Sequence, residues 1–213
     1  GVGRVDRRDP RNLRAGNPFL KAKRTQSFEL GYERDSKPVS YHATVYYRRH
    51  KNVVSEVSQA LDANTVLVSK ANLPEEQVAG LEIGLNGKLP LQLSYNLSGN
   101  VYYDEIDPGL FGAGNRSDVT GAGKLSLDYK PSKIDTWQLS VNYTGERLIA
   151  QGAVRPVTTV NAGYRHQLSD RLAGVMTVTD LFDGQRQRRV FETPTFRDDY
   201  NREVLGQVVS VGF

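Results

Sequence analysis

Residues 90–104 read PLQLSYNLSGNVYYD, and how this stretch alternates decides the fold. Leu91, Leu93, Tyr95, Leu97, Gly99, Val101 and Tyr103 fall on one side of an extended chain. Gln92, Ser94, Asn96, Ser98, Asn100 and Asp104 fall on the other. Period two sustained over this length specifies a β-strand with one apolar and one polar face. Residues 136–145, TWQLSVNYTG, repeat it, with Trp137, Leu139, Val141 and Tyr143 opposite Gln138, Ser140, Asn142 and Thr144. Residues 123–130, GKLSLDYK, do so through Leu125, Leu127 and Tyr129. Shorter copies run through Phe28, Leu30 and Tyr32; Tyr41, Ala43, Val45 and Tyr47; Ala79, Leu81, Ile83 and Leu85; and Val160, Ala162, Tyr164 and Leu168.

The connections between these strands alternate in length. RDSKPV (34–39), NGKLPL (86–91), YKPSKIDT (129–136) and LSDRL (168–172) are tight polar turns. IDPGLFGAGNRSD (106–118), GERLIAQGAVRP (145–156) and FDGQRQRRVFETPTFRDDYNRE (182–203) are long. Short turns at one end and long loops at the other organise an outer-membrane barrel, with the turns in the periplasm and the loops outside. The segment 52–80 keeps β-branched residues in short alternating runs, which predicts two strands rising beyond the membrane and joined at Asp62 to Asn64.

A soluble sandwich also alternates, so length and polarity must separate the two. Soluble strands run to about 5–6 residues, whereas Leu91 to Tyr103, tilted by about 45°, matches the ~25 Å apolar band of a membrane barrel. The opposite face, rich in Asn, Ser, Gln, Thr and Lys, is too polar for a dry core and suits a wet lumen. Trp137, Tyr143, Tyr103 and Tyr129 stand near the ends of their stripes, where amphipathic rings favour the membrane–water boundary. Of the 213 residues 38% are hydrophobic, and no apolar run approaches the ~18 residues of a membrane helix. With no cysteine there is no disulfide, thiolate metal site or thiol nucleophile. The expectation is an all-β chain: a single antiparallel transmembrane β-barrel segment, 1–213, of about nine long strands.

Four stretches carry a family resemblance. GNPFLKAKRTQSFELGYE (16–33) is similar to a loop-to-strand passage of Asn-Pro-x-Leu followed by Phe-Glu-Leu-Gly-Tyr, and VAGLEIGL (78–85) to a Gly-x-Glu strand. TVTDLFDG (177–184) is similar to an Asn-Leu-Phe-Asp passage, and VVSVGF (208–213) to a terminal strand ending on an aromatic. In that order and spacing they resemble the C-terminal part of a TonB-dependent outer-membrane receptor. The chain departs from that pattern at Lys21-Ala22-Lys23, where the family has Lys-Pro-Glu, and at Asp180, where asparagine is common. Such receptors have about 22 strands around a plugged lumen. The resemblance therefore implies a piece lacking the plug and the first strands.

That resemblance implies TonB-energised uptake of a scarce nutrient such as a ferric siderophore across the bacterial outer membrane, with no enzymatic step and no cofactor. The implied partners are outer-membrane lipid and lipopolysaccharide, the barrel-assembly machinery, TonB through the plug, and a small-molecule ligand. It also implies that Phe213, with Val211 and Val209 on its face, forms the barrel-assembly signal. Two other readings stay open: a self-contained structural or adhesive barrel, and a soluble β-sandwich binding module.

Ligand contacts are expected in the long loops, where Arg147, Arg155, Arg186, Arg188, Arg189, Arg197 and Arg202 occur with Phe191, Phe196 and Tyr200. Guanidinium groups pair bidentately with carboxylate and phosphate, so these residues suit either an anionic chelate or lipopolysaccharide phosphates. The net charge of +4 is carried by such loops without an interleaved stacking face, which argues against nucleic acid. His42, His50 and His166 have no carboxylate or second histidine at metal-ligand spacing and read as wall residues. Asp104, Glu105 and Asp107 are oxygen ligands without a defined cage.

Overall fold

In a computed structural model the alternating stretches form long antiparallel strands. The structure describes residues 5–6, 12–62, 65–112, 114–193, 196–203 and 206–213. In chain order the strands are β1 (Val5–Asp6), β2 (Asn12–Ala15), β3 (Arg24–Arg34), β4 (Val39–Ala60), β5 (Val66–Leu89), β6 (Leu93–Asp107), β7 (Arg116–Tyr129) and β8 (Asp135–Thr144). There follow β9 (Arg147–Ile149), β10 (Gly152–Val154), β11 (Val157–Ser169), β12 (Leu172–Thr179), β13 (Arg186–Thr193), β14 (Phe196–Glu203) and β15 (Val208–Gly212). No helix among the described residues is long and apolar enough to cross a membrane.

Nine strands pair in sequence as a meander, β3-β4-β5-β6-β7-β8-β11-β12-β15, every neighbour antiparallel. The short β2 lies parallel to the start of β5 and carries β1 on its far side. Among the described residues β3 pairs only with β4 and β15 only with β12.

The register sorts side chains by chemistry. Leu85, Leu97, Leu125, Val141 and Val160 stand in one row across five strands, and the adjacent row is Asn86, Asn96, Ser126, Ser140 and Asn161 on the opposite face. A one-residue slip anywhere would exchange these rows, so the two-sided environment fixes the pairing. The apolar face is left open: Leu30, Val101 and Val211 are 75%, 60% and 67% exposed. An apolar surface this extended on a sheet whose other face is polar has hydrocarbon as its solvent.

Aromatic residues mark both limits of that surface. At the short-turn end Tyr129, Trp137 and Tyr164 are cross-strand neighbours, with the Trp137 and Tyr164 rings 4.2 Å apart. At the other end Phe28 pairs with Tyr47, and Tyr103 lies one strand beyond across Ala79. The spanning part of β6 is thus Leu93 to Tyr103, close to the ~9–11 residues a tilted strand needs. On the polar face Gly80 lies between Tyr46 and Tyr102. A Cβ there would come within 2.6 Å of the Tyr46 ring, whose hydroxyl donates to Asn100 at 2.9 Å.

The sequence reading is corrected at two places. Leu91 does not continue the apolar stripe: it and Gln92 have φ of +64° and +60° and form the turn, so the strand starts at Leu93. Pro90 ends the incoming strand and, with Leu91 and Gln92, makes a three-residue turn between the paired Leu89 and Leu93. The second concerns the long connections 145–156 and 182–203, expected as loops, which contain strands of their own. The hairpin of β4 and β5 rises beyond the membrane as expected, closed by a Leu61 N–H to Thr65 carbonyl hydrogen bond; of the turn expected at Asp62 to Asn64, residues 63 and 64 lie outside the described residues.

Candidate functional site

β9, β10, β13 and β14 make a second sheet in the order β14-β13-β10-β9. β10 can pair with β13 because Gly152 lets the two backbones meet: at its φ of +156° a Cβ would fall 1.7 Å from the Val190 carbonyl oxygen. The chain enters β13 through Asp180, which is 1% exposed. Its carboxylate accepts the Gly184 and Gln185 N–H groups at 2.8 and 2.9 Å, and its own N–H donates to Asn161 at 2.9 Å. This gives the Asp-Leu-Phe-Asp passage its physical role as a corner.

Three fastenings hold this loop sheet on the main one. Leu148 and Ala150 pack against Val57, Ala71, Leu73 and Ile106 in the core cluster of buried residues. The Gln151 side chain accepts the Ser58 N–H at 2.6 Å and donates to the Ser58 carbonyl at 2.9 Å. Arg116 donates to the Gly152 and Ile149 carbonyls at 2.7 and 3.3 Å.

Between the corner and the loop sheet lies a concavity of about 910 Å³. Arg155, Arg186, Arg188, Arg189 and Arg197 line it with Phe182 and Tyr200, against the two carboxylates Asp183 and Asp199. Arg186 pairs with Asp183 at 2.5 Å, Arg155 with Glu146 at 2.7 Å, and Arg197 with Asp199 at a loose 3.8 Å. Cationic forks beside two aromatic rings in a space of this size suit a multivalent anion with apolar or planar parts.

Arg155, Arg186, Arg188, Arg189, Arg197 and Tyr200 are thus brought together, although up to 45 residues of chain separate them. Arg147 and Phe191 are not with them. They line a separate cavity of about 300 Å³ between the loop sheet and the main sheet, with Glu56, Glu76, Leu73 and Ile106. Phe191 is 8% exposed, held inward by β-strand alternation. The side chains of Phe196 and Arg202 lie outside the described set. Phe182, 74% exposed at the rim, was missed because an aromatic after Asp-Leu reads as part of the corner.

The remaining candidates are dispersed. Val209 and Val211 pair with Val178 and Met176 on the apolar face, and Phe213 follows them at 89% exposure. His166 does have a carboxylate: Asp135, its cross-strand neighbour, lies 2.8 Å from Nδ1 and also accepts from Tyr164 at 2.7 Å. Spacing along the chain hides this pair, since only register creates it. Asp104 is buried on the polar side, whereas Glu105 meets Tyr103 and Asn115 at 3.2 Å each and Asp107 accepts the Gly109 N–H at 2.8 Å. Among the described residues no three His, Cys, Asp or Glu side chains gather to hold a metal.

A sheet of long strands, apolar outside and polar inside, girdled by aromatics and capped at one end, defines a transmembrane β-barrel protein. The sequence model of the outer membrane protein β-barrel family matches residues 4–213, and the chain belongs to that family. Its place is the outer membrane. No curated protein matches it.

Several solved structures share the fold. The ferric yersiniabactin uptake receptor FyuA of Yersinia pestis is 17% identical with a TM-score of 0.64, over 89% of this chain and 29% of FyuA. The siderophore receptor PirA of Acinetobacter baumannii is 17% identical at 0.59, over 92% and 32%. The ferric-catecholate import receptor Fiu of E. coli K12 is 16% identical at 0.60, over 90% and 27%. The chain therefore spans about 30% of the length of these structures.

Proposed function

We propose that this chain is the C-terminal barrel portion of an active-transport receptor that captures a scarce anionic nutrient, such as a ferric siderophore, and is energised through TonB. The observation that carries the reading is the concavity of five arginines with Phe182 and Tyr200, built on the layer that caps the barrel at its long-loop end. The uptake roles of the receptors sharing its fold add support. Capture is non-covalent, with no bond made or broken. A plug supplied elsewhere in the receptor would receive the ligand and contact TonB, while Val209, Val211 and Phe213 would engage the barrel-assembly machinery.

The test is uptake of radiolabelled ferric chelates by iron-starved cells expressing the complete reading frame, with and without TonB. Arg188→Glu together with Arg197→Glu should abolish uptake of one chelate while the receptor stays in the outer membrane. Uptake unchanged by that pair, with cells newly sensitive to detergents and bile salts, would instead assign the arginines to lipopolysaccharide phosphates.

A further inference from the structure

Among the described residues Arg189 is the one arginine shared by the two cavities. It lines the outer concavity with Arg155, Arg186, Arg188 and Arg197, and the inner cavity with Arg147, Glu56 and Glu76. Among the described residues its ion pair is a single contact, Nη1 to the Glu56 Oε1 at 3.4 Å. Its Nε is buried and has no hydrogen-bond partner. A fully engaged fork in the same molecule is different: Arg49 holds both oxygens of Glu75 through Nε and Nη2, at 2.8 and 2.6 Å.

An unsatisfied N–H at a buried atom of a half-buried charged group is costly and calls for a partner. The N–H left over here belongs to the guanidinium edge that carboxylates and phosphates grip bidentately. Glu56, reaching Nη1 alone, holds Arg189 in place without occupying that edge.

We infer that Arg189 forms an oxyanion subsite at the junction of the two cavities, where a carboxylate or phosphate group of the ligand binds the open Nε edge of the guanidinium fork while Glu56 stays on Nη1. The inference rests on the anion-capture reading above and deepens it. The outer arginines gather the anion, Arg189 orients one oxyanion group, and Glu56 sets how tightly that group is held.

The test uses the complete protein in detergent, titrated calorimetrically with citrate and, separately, inorganic phosphate. Arg189→Lys keeps the charge and loses the fork, and should weaken binding about tenfold. Glu56→Gln removes a like charge beside the bound anion and should tighten binding several-fold. A preference for citrate marks a carboxylate ligand and a preference for phosphate a phosphate ligand; either supports the subsite when accompanied by those two shifts. Retained heat-modifiable migration shows each variant to be folded, and if Arg189→Lys does not fold, Glu56→Gln decides alone. Wild-type affinity in both variants, with Arg188→Gln weakening binding, overturns the subsite and leaves anion capture standing. No binding by wild type overturns the subsite as well, and the uptake assay then judges the capture reading independently.

Discussion

Gln151 and Ser58 lie 93 residues apart and meet as two strands would, the side-chain amide of one completing both backbone hydrogen bonds of the other at 2.6 and 2.9 Å. This contact ties the loop sheet to the rising hairpin. Gln151 is 6% exposed, so water cannot replace it readily. Gln151→Leu leaves a buried N–H and C=O unpaired, each at a cost of about 1–3 kcal/mol. The expected outcome is faster amide exchange in β10 and β13, by about ten- to a hundredfold, with β6 to β8 unchanged. Equal protection in mutant and wild type would show that the apolar contacts of Leu148 and Ala150 hold the layer by themselves.

Asp180 makes a prediction about the family motif. Both carboxylate oxygens accept backbone N–H groups, and Asp180 itself has φ of +55°, a conformation that asparagine and aspartate tolerate best among side-chain-bearing residues. Asp180→Asn turns one acceptor into a donor facing a donor unless the corner shifts, and should lower the temperature at which the folded band is lost on unheated gels by a few degrees. Asp180→Ala, which loses both acceptors, should lower it more, by about 2–4 kcal/mol of stability. A tolerant Asp180→Ala would mean that the Gly184 backbone alone sets the corner.

What could be read from the chain follows from how local each signal is. The nine strands and their two faces were legible because alternation is a property of neighbours in sequence, and each strand repeats it. The loop sheet was not, because β9 and β10 have three residues each and β10 is completed by β13, Gly152 meeting Phe191 across 39 positions. Nothing local distinguishes so short a strand from a loop. The hairpin hides a further feature. Its register is constant through Lys51↔Glu75 and Val53↔Leu73, yet the buried positions change from even, at Tyr46, to odd, at Val57, Ala71 and Leu73. The exchange coincides with Asn52 at φ +55° opposite Pro74, which has no N–H for the ladder. A strand leaving the membrane thus turns its other side to the loop core. Of the site, the arginine composition was legible, but its division between two cavities depends on which side of the loop sheet each residue takes.

Asp104 gives a pH dependence. It lies just beyond the spanning part of β6, is 4% exposed, and its Oδ1 has no hydrogen-bond partner. Burial, with Glu76 and Asp118 nearby, pushes its carboxyl from the usual 3.8 up to about 6. A raised carboxyl favours the folded state fully below about pH 4, and this contribution is lost as pH rises through about 6. Asp104→Asn should therefore stabilise the capped end by about 2–3 kcal/mol at pH 7.5 and by almost nothing at pH 4. Unfolding temperatures of both proteins at the two pH values check this. A gain of equal size at both would point to packing rather than ionisation.

Leu97 and Ser98 are adjacent in β6 and test which face meets lipid. Leu97 pairs with Leu85 and Leu125 in the apolar row, whereas Ser98 pairs with Gly84 and Lys124 on the other side. Midway between the aromatic girdles, arginine on a lipid-facing position costs about 2–4 kcal/mol, while a lumen-facing position tolerates charge. Leu97→Arg should reduce the yield of folded protein in the outer membrane and its stability to urea in lipid vesicles. Ser98→Arg, placed beside Lys124, should cost well under half as much, the remainder being repulsion between like charges screened by water. In a soluble sandwich with a buried Leu97 row the same ranking could arise, so the vesicle measurement is repeated in thicker and thinner bilayers. Stability of the wild type that follows bilayer thickness, with an optimum near the distance between the Trp137 and Tyr103 rows, belongs only to a protein whose apolar face is solvated by lipid.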